Sequence, residues 1–557
     1  MSSVLQHVTV QDALVVQAVC GLLAHLIFKR YEPERPLYVA LLVLAAPLVL
    51  SLLLVTHLPL ISSLVVSFVT YNATLLTSIL FYRVGPFHPL ARYPGPLLCK
   101  VSMIYMAIHT YHGKRHEYIR QLFELYGDVV RTGPNEICIR DPAAIDPLMG
   151  PTGLPKGPMW IGRSMDPPSL PLIAQQDTTE HHRRRRPWNR AFNTASLKGY
   201  EPVVAARVSQ LVEHLKGIKG VTKLTHWLDL YVFDFMSDMA FGGGSETMRG
   251  DEDNDKFRYL MDSSMQATVI LEVLPWLRKV VHLLPGSARE LVMFRKMCFQ
   301  RATHRVQSGS VTKDLFHYLN NEDGAEEVSP PLMRVVSDAA LAVVAGSDTT
   351  AAILSITFFF LLRNPDVYAK LKEEVDHYYP PGEDACDTQH YPKMQWLDAA
   401  LNETLRLYPA DLSGSQRMPT PGSGGKLIGP YFVPEGTAVR VHTFSLHRDP
   451  RNFSPHTDDF WPERWIIGGS DEKSATTPIV HNTAAFIPFS VGPANCAGKN
   501  LAMLEMRMLL CCCIQQLEFE LAGDLAQDPG KFERQVRDWF ILQKGELLVI
   551  VRPRVKV

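Results

Sequence analysis

One of the nine cysteines, Cys496, lies in a loop rich in glycine and proline that leads into an apolar, helix-forming run. From Phe489 to Gly498 the sequence reads Phe-Ser-Val-Gly-Pro-Ala-Asn-Cys-Ala-Gly. A thiolate at the start of a helix is stabilised by the free backbone amides and by the helix dipole. Gly492 and Gly498 would let the backbone approach a flat ligand closely. The pattern therefore favours a functional thiolate over an ordinary buried cysteine.

Two oppositely charged residues, Glu403 and Arg406, share one face of a helix predicted from about Trp396 to Leu407, because they are three residues apart. An exposed ion pair of this kind contributes only about 0–1 kcal/mol. Arg464 follows downstream in the segment Phe-Trp-Pro-Glu-Arg-Trp. If the three were buried together, removal of one partner would leave an uncompensated charge.

Polar residues interrupt a long apolar stretch, Leu332–Arg363, which predicts a single helix of roughly 45 Å. Its centre reads Ala-Gly-Ser-Asp-Thr-Thr and includes Gly346, Asp348 and Thr349. An aspartate and a threonine in such a helix need polar partners or a wet groove. The small residues are expected to open room for a ligand.

A basic run, His181-His-Arg-Arg-Arg-Arg186, precedes Trp188 and Phe192. A run of this kind is usually a solvated face or a phosphate contact. Adjacent histidines on a helix point apart, which disfavours a metal site there.

Taken together, and in the order in which they follow one another along the chain, from the basic run to the cysteine loop, these segments resemble the cytochrome P450 family of haem-thiolate monooxygenases, from about Pro94 to Arg554. The resemblance implies Cys496 as the axial ligand of the iron of haem b, in a loop whose pattern residues are Phe489, Gly492 and Gly498. It implies three partners for the haem propionates: His181, Arg185 and Arg417. One departure is Ala494, which occupies the position where the family usually has an arginine or histidine that binds a propionate.

The same resemblance assigns the remaining residues. Glu403, Arg406 and Arg464 would form a buried structural triad behind the cysteine loop. Thr349 would hydrogen-bond dioxygen, and Asp348 would help to relay protons. The substrate pocket is expected at residues 157–175, 344–349 and 412–415.

The implied activity is the insertion of one oxygen atom of O2 into a lipophilic small molecule, such as a terpenoid of fungal secondary metabolism. Fatty acids and aromatic xenobiotics remain open as substrates. No phosphate-binding loop and no dinucleotide-binding glycine motif occurs in the sequence. Electrons would come from NADPH through a cytochrome P450 reductase, with cytochrome b5 as a further candidate donor. Alternatives are a peroxide-dependent isomerase or dehydratase, and a non-catalytic haem binder.

The elements that must position these residues are mainly helical, with a minor β part. Helices are predicted to dominate from Thr179 to about Tyr408, strands and loops follow Pro409, and a helix returns at about 497–516. Lys plus Arg number 56 and Asp plus Glu number 57, a net charge of -1, so a general basic field for nucleic acid is absent.

Three apolar stretches precede the catalytic part, at about residues 13–28, 37–55 and 60–81. The first is short for a span, which needs roughly 20 residues. Basic residues follow the first and the third stretch, which places both segments in the cytosol. We expect a membrane anchor at 1–84, a proline-rich linker at 85–96 and a catalytic domain at 97–557, facing the cytosol from the endoplasmic reticulum membrane. A cleaved signal peptide, or one span with a hairpin in the membrane, are the alternatives.

Overall fold

The computed structural model describes residues 8–32, 35–162, 170–250, 252–281, 283–284, 286, 289–309, 312–467 and 479–554. It begins with three apolar helices, α1 (Val10–Tyr31), α2 (Pro36–Leu53) and α3 (Leu60–Val84). All three are long and apolar enough to cross a membrane, judged by length and composition. The first stretch, which seemed short in the sequence, extends to 22 residues because both ends continue the helix.

Polar and small residues join α1 to α3. The amide of Gln17 is fully buried and donates a hydrogen bond to Ser67 Oγ at 2.8 Å. A Cβ on Gly21 would lie 2.8 Å from the carbonyl oxygen of Tyr71, so only glycine allows the two helices to approach this closely. Small residues and interhelical hydrogen bonds of this kind stabilise helix pairs in membranes. Helices α1 and α3 therefore pack directly against each other.

The proline-rich connector that follows packs against the catalytic part. The hydroxyl of Tyr93 donates to the carbonyl oxygen of Phe432 at 2.6 Å. Gly95 lies against strand β1 (Val129–Gly133), where a Cβ would come within 2.3 Å of the carbonyl oxygen of Arg131. These contacts fix the anchor next to the first sheet.

The catalytic part contains many helices and short strands. Its helices are α4 (Leu97–Val101), α5 (Ile104–Tyr111), α6 (Arg115–Tyr126), α7 (Ile145–Met149), α8 (Met159–Gly162), α9 (Thr178–Ala191), α10 (Thr194–Gly217), α11 (Leu224–Phe241), α12 (Glu252–Val273), α13 (Leu277–Val281), α14 (Arg289–Ser308), α15 (Leu315–Leu319), α16 (Leu332–Arg363), α17 (Pro365–Tyr378), α18 (Gln395–Leu407), α19 (Thr443–His447), α20 (Glu463–Ile467), α21 (Lys499–Gln516) and α22 (Gly530–Gln535). After β1 the strands are β2 (Glu136–Ile139), β3 (Val221–Lys223), β4 (Lys426–Ile428), β5 (Tyr431–Val433), β6 (Ala438–Val441), β7 (Phe453–Ser454), β8 (Val480–His481), β9 (Leu517–Leu521), β10 (Arg537–Trp539), β11 (Ile541–Gln543) and β12 (Leu548–Pro553).

The core forms around α16, which packs most extensively on α11. Helix α16 also has the length and composition of a membrane span, but most of it is buried inside the protein, so its apolar character serves the core. One of the small residues at the centre of α16, Gly346, faces α11. A Cβ there would lie 2.5 Å from Met236 Sδ of α11, so this glycine serves close helix packing.

Two three-stranded sheets flank the helices. In the first, β2 lies between antiparallel β1 and parallel β6. Arg417 pairs with Val439 of β6 on one side and with Lys156 on the other, through isolated antiparallel bridges. The second sheet has the order β3-β12-β9. The first sheet therefore holds Lys156 and Arg417 as direct neighbours.

Candidate active site

The loop before α21 is held in shape by its own backbone. The amide of Cys496 donates to the carbonyl oxygen of Phe489 at 2.9 Å, and the amide of Asn495 donates to that of Gly492 at 3.1 Å. Helix α21 begins three residues after the cysteine, at Lys499. The loop therefore presents Cys496 at the N-terminus of a helix, as the sequence predicts.

The sulfur of Cys496 lies in a mixed electrostatic environment. The backbone amides of Gly498 and Lys499 and the guanidinium of Arg185 all act to lower its pKa, but burial has the larger effect and raises the thiol pKa overall. The residue nevertheless keeps accessible surface. The sulfur is therefore surrounded by protein and still accessible to a ligand. Coordination to a metal would deprotonate a thiol in this position outright.

The two pattern glycines of the loop are required for different reasons. Gly492 has a φ of +72°, and a Cβ on it would lie 2.0 Å from the carbonyl oxygen of Met149, so the protein itself demands glycine. Gly498 has no such neighbour, since the nearest atom to a Cβ is Phe192 Cζ at 4.0 Å. A Cβ there would project into the space beside Cys496, which fits a flat group lying against the backbone.

The triad of Glu403, Arg406 and Arg464 is assembled and fully buried. Arg406 donates to both carboxylate oxygens of Glu403, at 2.9 and 2.8 Å, and Arg464 donates to one of them at 3.1 Å. The backbone amide of Trp461 and the indole of Trp465 complete the donors around this carboxylate. The three residues that the resemblance groups therefore lie together around one carboxylate.

A residue that the sequence analysis missed, His447, joins the triad helix to the cysteine loop. Its Nδ1 lies 3.2 Å from the carbonyl oxygen of Arg406, and its Nε2 accepts a hydrogen bond from the amide of Ile487 at 2.9 Å. Burial and the charge of Arg406 lower the pKa of His447 to about 3, so the ring is neutral and Nδ1 carries the proton. No spacing rule pointed to this histidine, because its partners are distant in sequence.

The polar centre of α16 keeps accessible surface in the middle of a core helix. Asp348 and Thr349 are both partly exposed, whereas Ser347 and Thr350 are buried. The hydroxyl of Thr349 donates a hydrogen bond to the carbonyl oxygen of Ala345 at 2.7 Å. The hydroxyl oxygen can still accept a hydrogen bond from another group. Two adjacent polar residues on an open part of the helix are suited to holding and moving a proton.

The predicted propionate partners, Arg185, Arg417 and His181, lie close together in a basic cluster. Arg185 donates to the backbone and side-chain oxygens of Asn495, at 2.7 and 3.0 Å, next to Cys496. Arg417 is buried, its pKa is lowered to about 10 by burial, and its Nε and Nη2 have no partner among the described residues. Burial, followed by the charges of Lys156, Arg185, His182 and Arg417, lowers the pKa of His181 to about 3. The cluster is suited to binding an anion.

The other arginines of the basic run do not share one role. Arg184 is buried and donates to both oxygens of Asp338 of α16, at 2.9 and 2.8 Å. Arg190 pairs with Asp323 and Glu326. Arg183 and Arg186 are exposed. Helix periodicity explains this division, because a run of four arginines must direct one of them toward the core.

The described residues fit haem in three respects. Cys496 offers an accessible sulfur, the nearest protein atom to a Cβ on Gly498 would be 4.0 Å away, and Arg417 has unused donors for a carboxylate. Part of the expected pocket wall, at 163–169, lies outside the described residues. The other two expected segments, 344–349 and 412–415, belong to α16 and to the turn after α18.

Comparison with known proteins is consistent with this geometry. The family model described as cytochrome P450 matches residues 93–544. The chain is 33% identical to the cytochrome P450 monooxygenase FCK2 of Fusarium pseudograminearum, over 86% of this chain and 85% of that protein. It is 31% identical to cytochrome P450 67 of Uromyces fabae, over 93% and 95% of the two chains. It is also 31% identical to the cytochrome P450 monooxygenase nodW of Hypoxylon pulicicidum, over 81% and 80%.

Proposed function

Because the chain belongs to the cytochrome P450 family of monooxygenases, we propose that it oxidises a lipophilic small molecule of secondary metabolism at the cytosolic face of the endoplasmic reticulum membrane. The observation that carries this proposal is the placement of Cys496 at the N-terminus of α21, with the amides of Gly498 and Lys499 directed at its sulfur. When bound through Cys496, haem supplies the chemistry that activates dioxygen and transfers one oxygen atom to the substrate.

The roles of the chain's own residues follow from their placement. The cysteine loop fixes the thiolate, and the triad of Glu403, Arg406 and Arg464 supports the loop from behind through His447. His181, Arg185 and Arg417 would hold the propionates. Thr349 and Asp348 would hold and pass the protons that oxygen activation consumes, from the open part of α16.

The membrane location and the electron donor are inferred from the N-terminal helices and from the charges on the surface of the protein. Lys29 and Arg30 in the last turn of α1, and Arg83 in the last turn of α3, favour a cytosolic side for both helix ends. The catalytic domain follows α3 and would therefore face the cytosol, with cytosolic NADPH-cytochrome P450 reductase as the electron donor. The exposed Arg183 and Arg186 suit an acidic partner surface.

Substrate class is tested with the purified full-length enzyme, reductase and NADPH. A panel of terpenoids, fatty acids and aromatic compounds is screened for substrate-stimulated NADPH consumption and for a product heavier by one oxygen atom. We expect a response to one lipophilic class and product formation that requires both O2 and the reductase. Conversion of a peroxide substrate without NADPH or reductase would instead support the isomerase or dehydratase alternative.

A further inference from the structure

A further basic residue, Lys156, is buried beside the predicted propionate partners, and no acidic side chain among the described residues pairs with it. No described residue forms an ion pair with Lys156, His181, Arg185 or Arg417. Burial and the positive charges of Arg417, Arg185 and Arg184 hold the pKa of Lys156 well below its usual range. Burying several like charges together is costly unless an anion joins them.

The backbone explains why these charges are so close. Lys156 and Arg417 face each other across an antiparallel bridge, closed by hydrogen bonds from Gly157 N to Gln416 O and from Met418 N to Pro155 O. Residues directly opposite in such a pair place their side chains on the same face, where like charges are destabilising. The backbone pairing therefore holds the two basic side chains next to each other.

The ammonium of Lys156 is oriented but not saturated. It donates to the carbonyl oxygens of Ile173 at 2.7 Å and Leu172 at 3.3 Å. An ammonium has three donors, so one remains for a ligand. Arg417, its neighbour, also has two donors without a partner among the described residues. The unused donors of both residues can serve one carboxylate.

We propose that Lys156 binds a propionate of haem together with Arg417, and so replaces the cation that Ala494 does not supply. This inference rests on the proposed function and names a residue that neither the motifs nor the resemblance assigned. It also explains the buried like-charge pair, which a dianionic cofactor would neutralise.

The test uses K156Q in the full-length holoenzyme. Glutamine keeps two N–H donors for the carbonyl oxygens of Leu172 and Ile173 but has no charge. The variant therefore removes the charge that would bind the propionate while keeping donors for these two carbonyl oxygens. The readout is the rate of haem transfer to excess apomyoglobin. Loss of one charged hydrogen bond predicts transfer about 10-fold faster than in the wild type. K156R should transfer haem at about the wild-type rate. K544M, which removes a partly buried lysine that pairs with Asp229, serves as the matched control and should leave the rate unchanged.

Loading the wild type and K156Q with haem dimethyl ester, in which the propionates are uncharged, tests whether the effect depends on the contact between Lys156 and a propionate. The difference between K156Q and the wild type should then disappear. A difference that persists with the ester, or equal transfer rates with ordinary haem, would overturn the proposal. If K156Q does not fold, the wild type loaded with each monoester isomer carries the test: the isomer that lacks the propionate held by both Lys156 and Arg417 should be lost faster than the other, and equal loss of the two would overturn the proposal. A wild type that binds no haem at all would instead refute the proposed function.

Discussion

The imidazole of His447 accepts a hydrogen bond of 2.9 Å from the amide of Ile487, two residues before the cysteine loop begins at Phe489. Because the other ring nitrogen contacts the carbonyl oxygen of Arg406, this neutral side chain connects the buried triad to the loop that presents Cys496. The support of the thiolate therefore depends on a histidine that must stay unprotonated.

This dependence predicts acid sensitivity. The pKa of His447 is about 3 in the folded protein, below the ordinary histidine value near 6.5, so the unfolded chain binds the proton more tightly. The stabilisation is complete above pH ~6.5 and is lost progressively as the pH falls toward 3. We expect His447 to account for a loss of about 2 kcal/mol between pH 7 and 5. H447Q keeps an acceptor for Ile487 and cannot be protonated, so its unfolding free energy should fall less. Equal pH dependence of thermal unfolding in the two proteins would contradict the linkage.

Replacing the triad carboxylate should be severe. E403Q would leave Arg406 and Arg464 buried without a counter-charge, a change that costs about 3–5 kcal/mol. We expect a large drop in the yield of folded, haem-bound protein and in its thermal midpoint. E463Q is the control, because Glu463 forms only a partly exposed pair with Lys370 and contributes about 1 kcal/mol or less. Similar losses in both variants would argue against a special role for Glu403.

The proton-handling role of Thr349 can be separated from its role in the helix. T349A is expected to lower product per NADPH about 10-fold or more and to release peroxide instead, since positioned proton transfer contributes ~10²–10⁴-fold. T357A removes a threonine of the same helix that makes the same kind of bond, to Ile353 O at 2.8 Å, in the buried part of α16. It should affect stability while leaving coupling intact. Unchanged peroxide release in T349A would refute the assignment.

The two loop glycines predict opposite phenotypes. G492A would force a Cβ to 2.0 Å from Met149 O at a φ of +72°, so we expect no folded protein. G498A meets no protein atom closer than 4.0 Å and should fold normally. Its methyl group would crowd the space for haem, at a cost of about 1–3 kcal/mol in binding free energy. This cost would lower haem affinity about 5- to 150-fold. Circular dichroism of both variants, with haem titration of G498A, checks this. Full haem affinity in G498A would show that this glycine does not face the cofactor.

The sequence predicted most of the elements that carry the site. Helix Leu332–Arg363 occurs as expected, because its long apolar pattern determines it locally. The burial of Arg184 and the contact of Gly346 with Met236 were not predicted, since each depends on which neighbour packs against one helix face.

Residues joined only by tertiary contacts had no sequence signal. Lys156 lies beside Arg417 through a bridge between segments that are far apart in the chain. His447 reaches Ile487 across 40 residues. Spacing rules describe one element at a time, so they could identify Cys496 and the pair of Glu403 and Arg406 but not these connections.

The central claim is that Cys496 is the thiolate ligand of a bound haem. The measurement that tests it most directly is the absorption spectrum of the reduced, carbon-monoxide-bound protein, recorded for the wild type and for C496S. The structure predicts a strongly red-shifted Soret band in the wild type and its loss in C496S. A band typical of histidine-ligated haem in the wild type, or a red-shifted band that persists in C496S, would contradict the assignment.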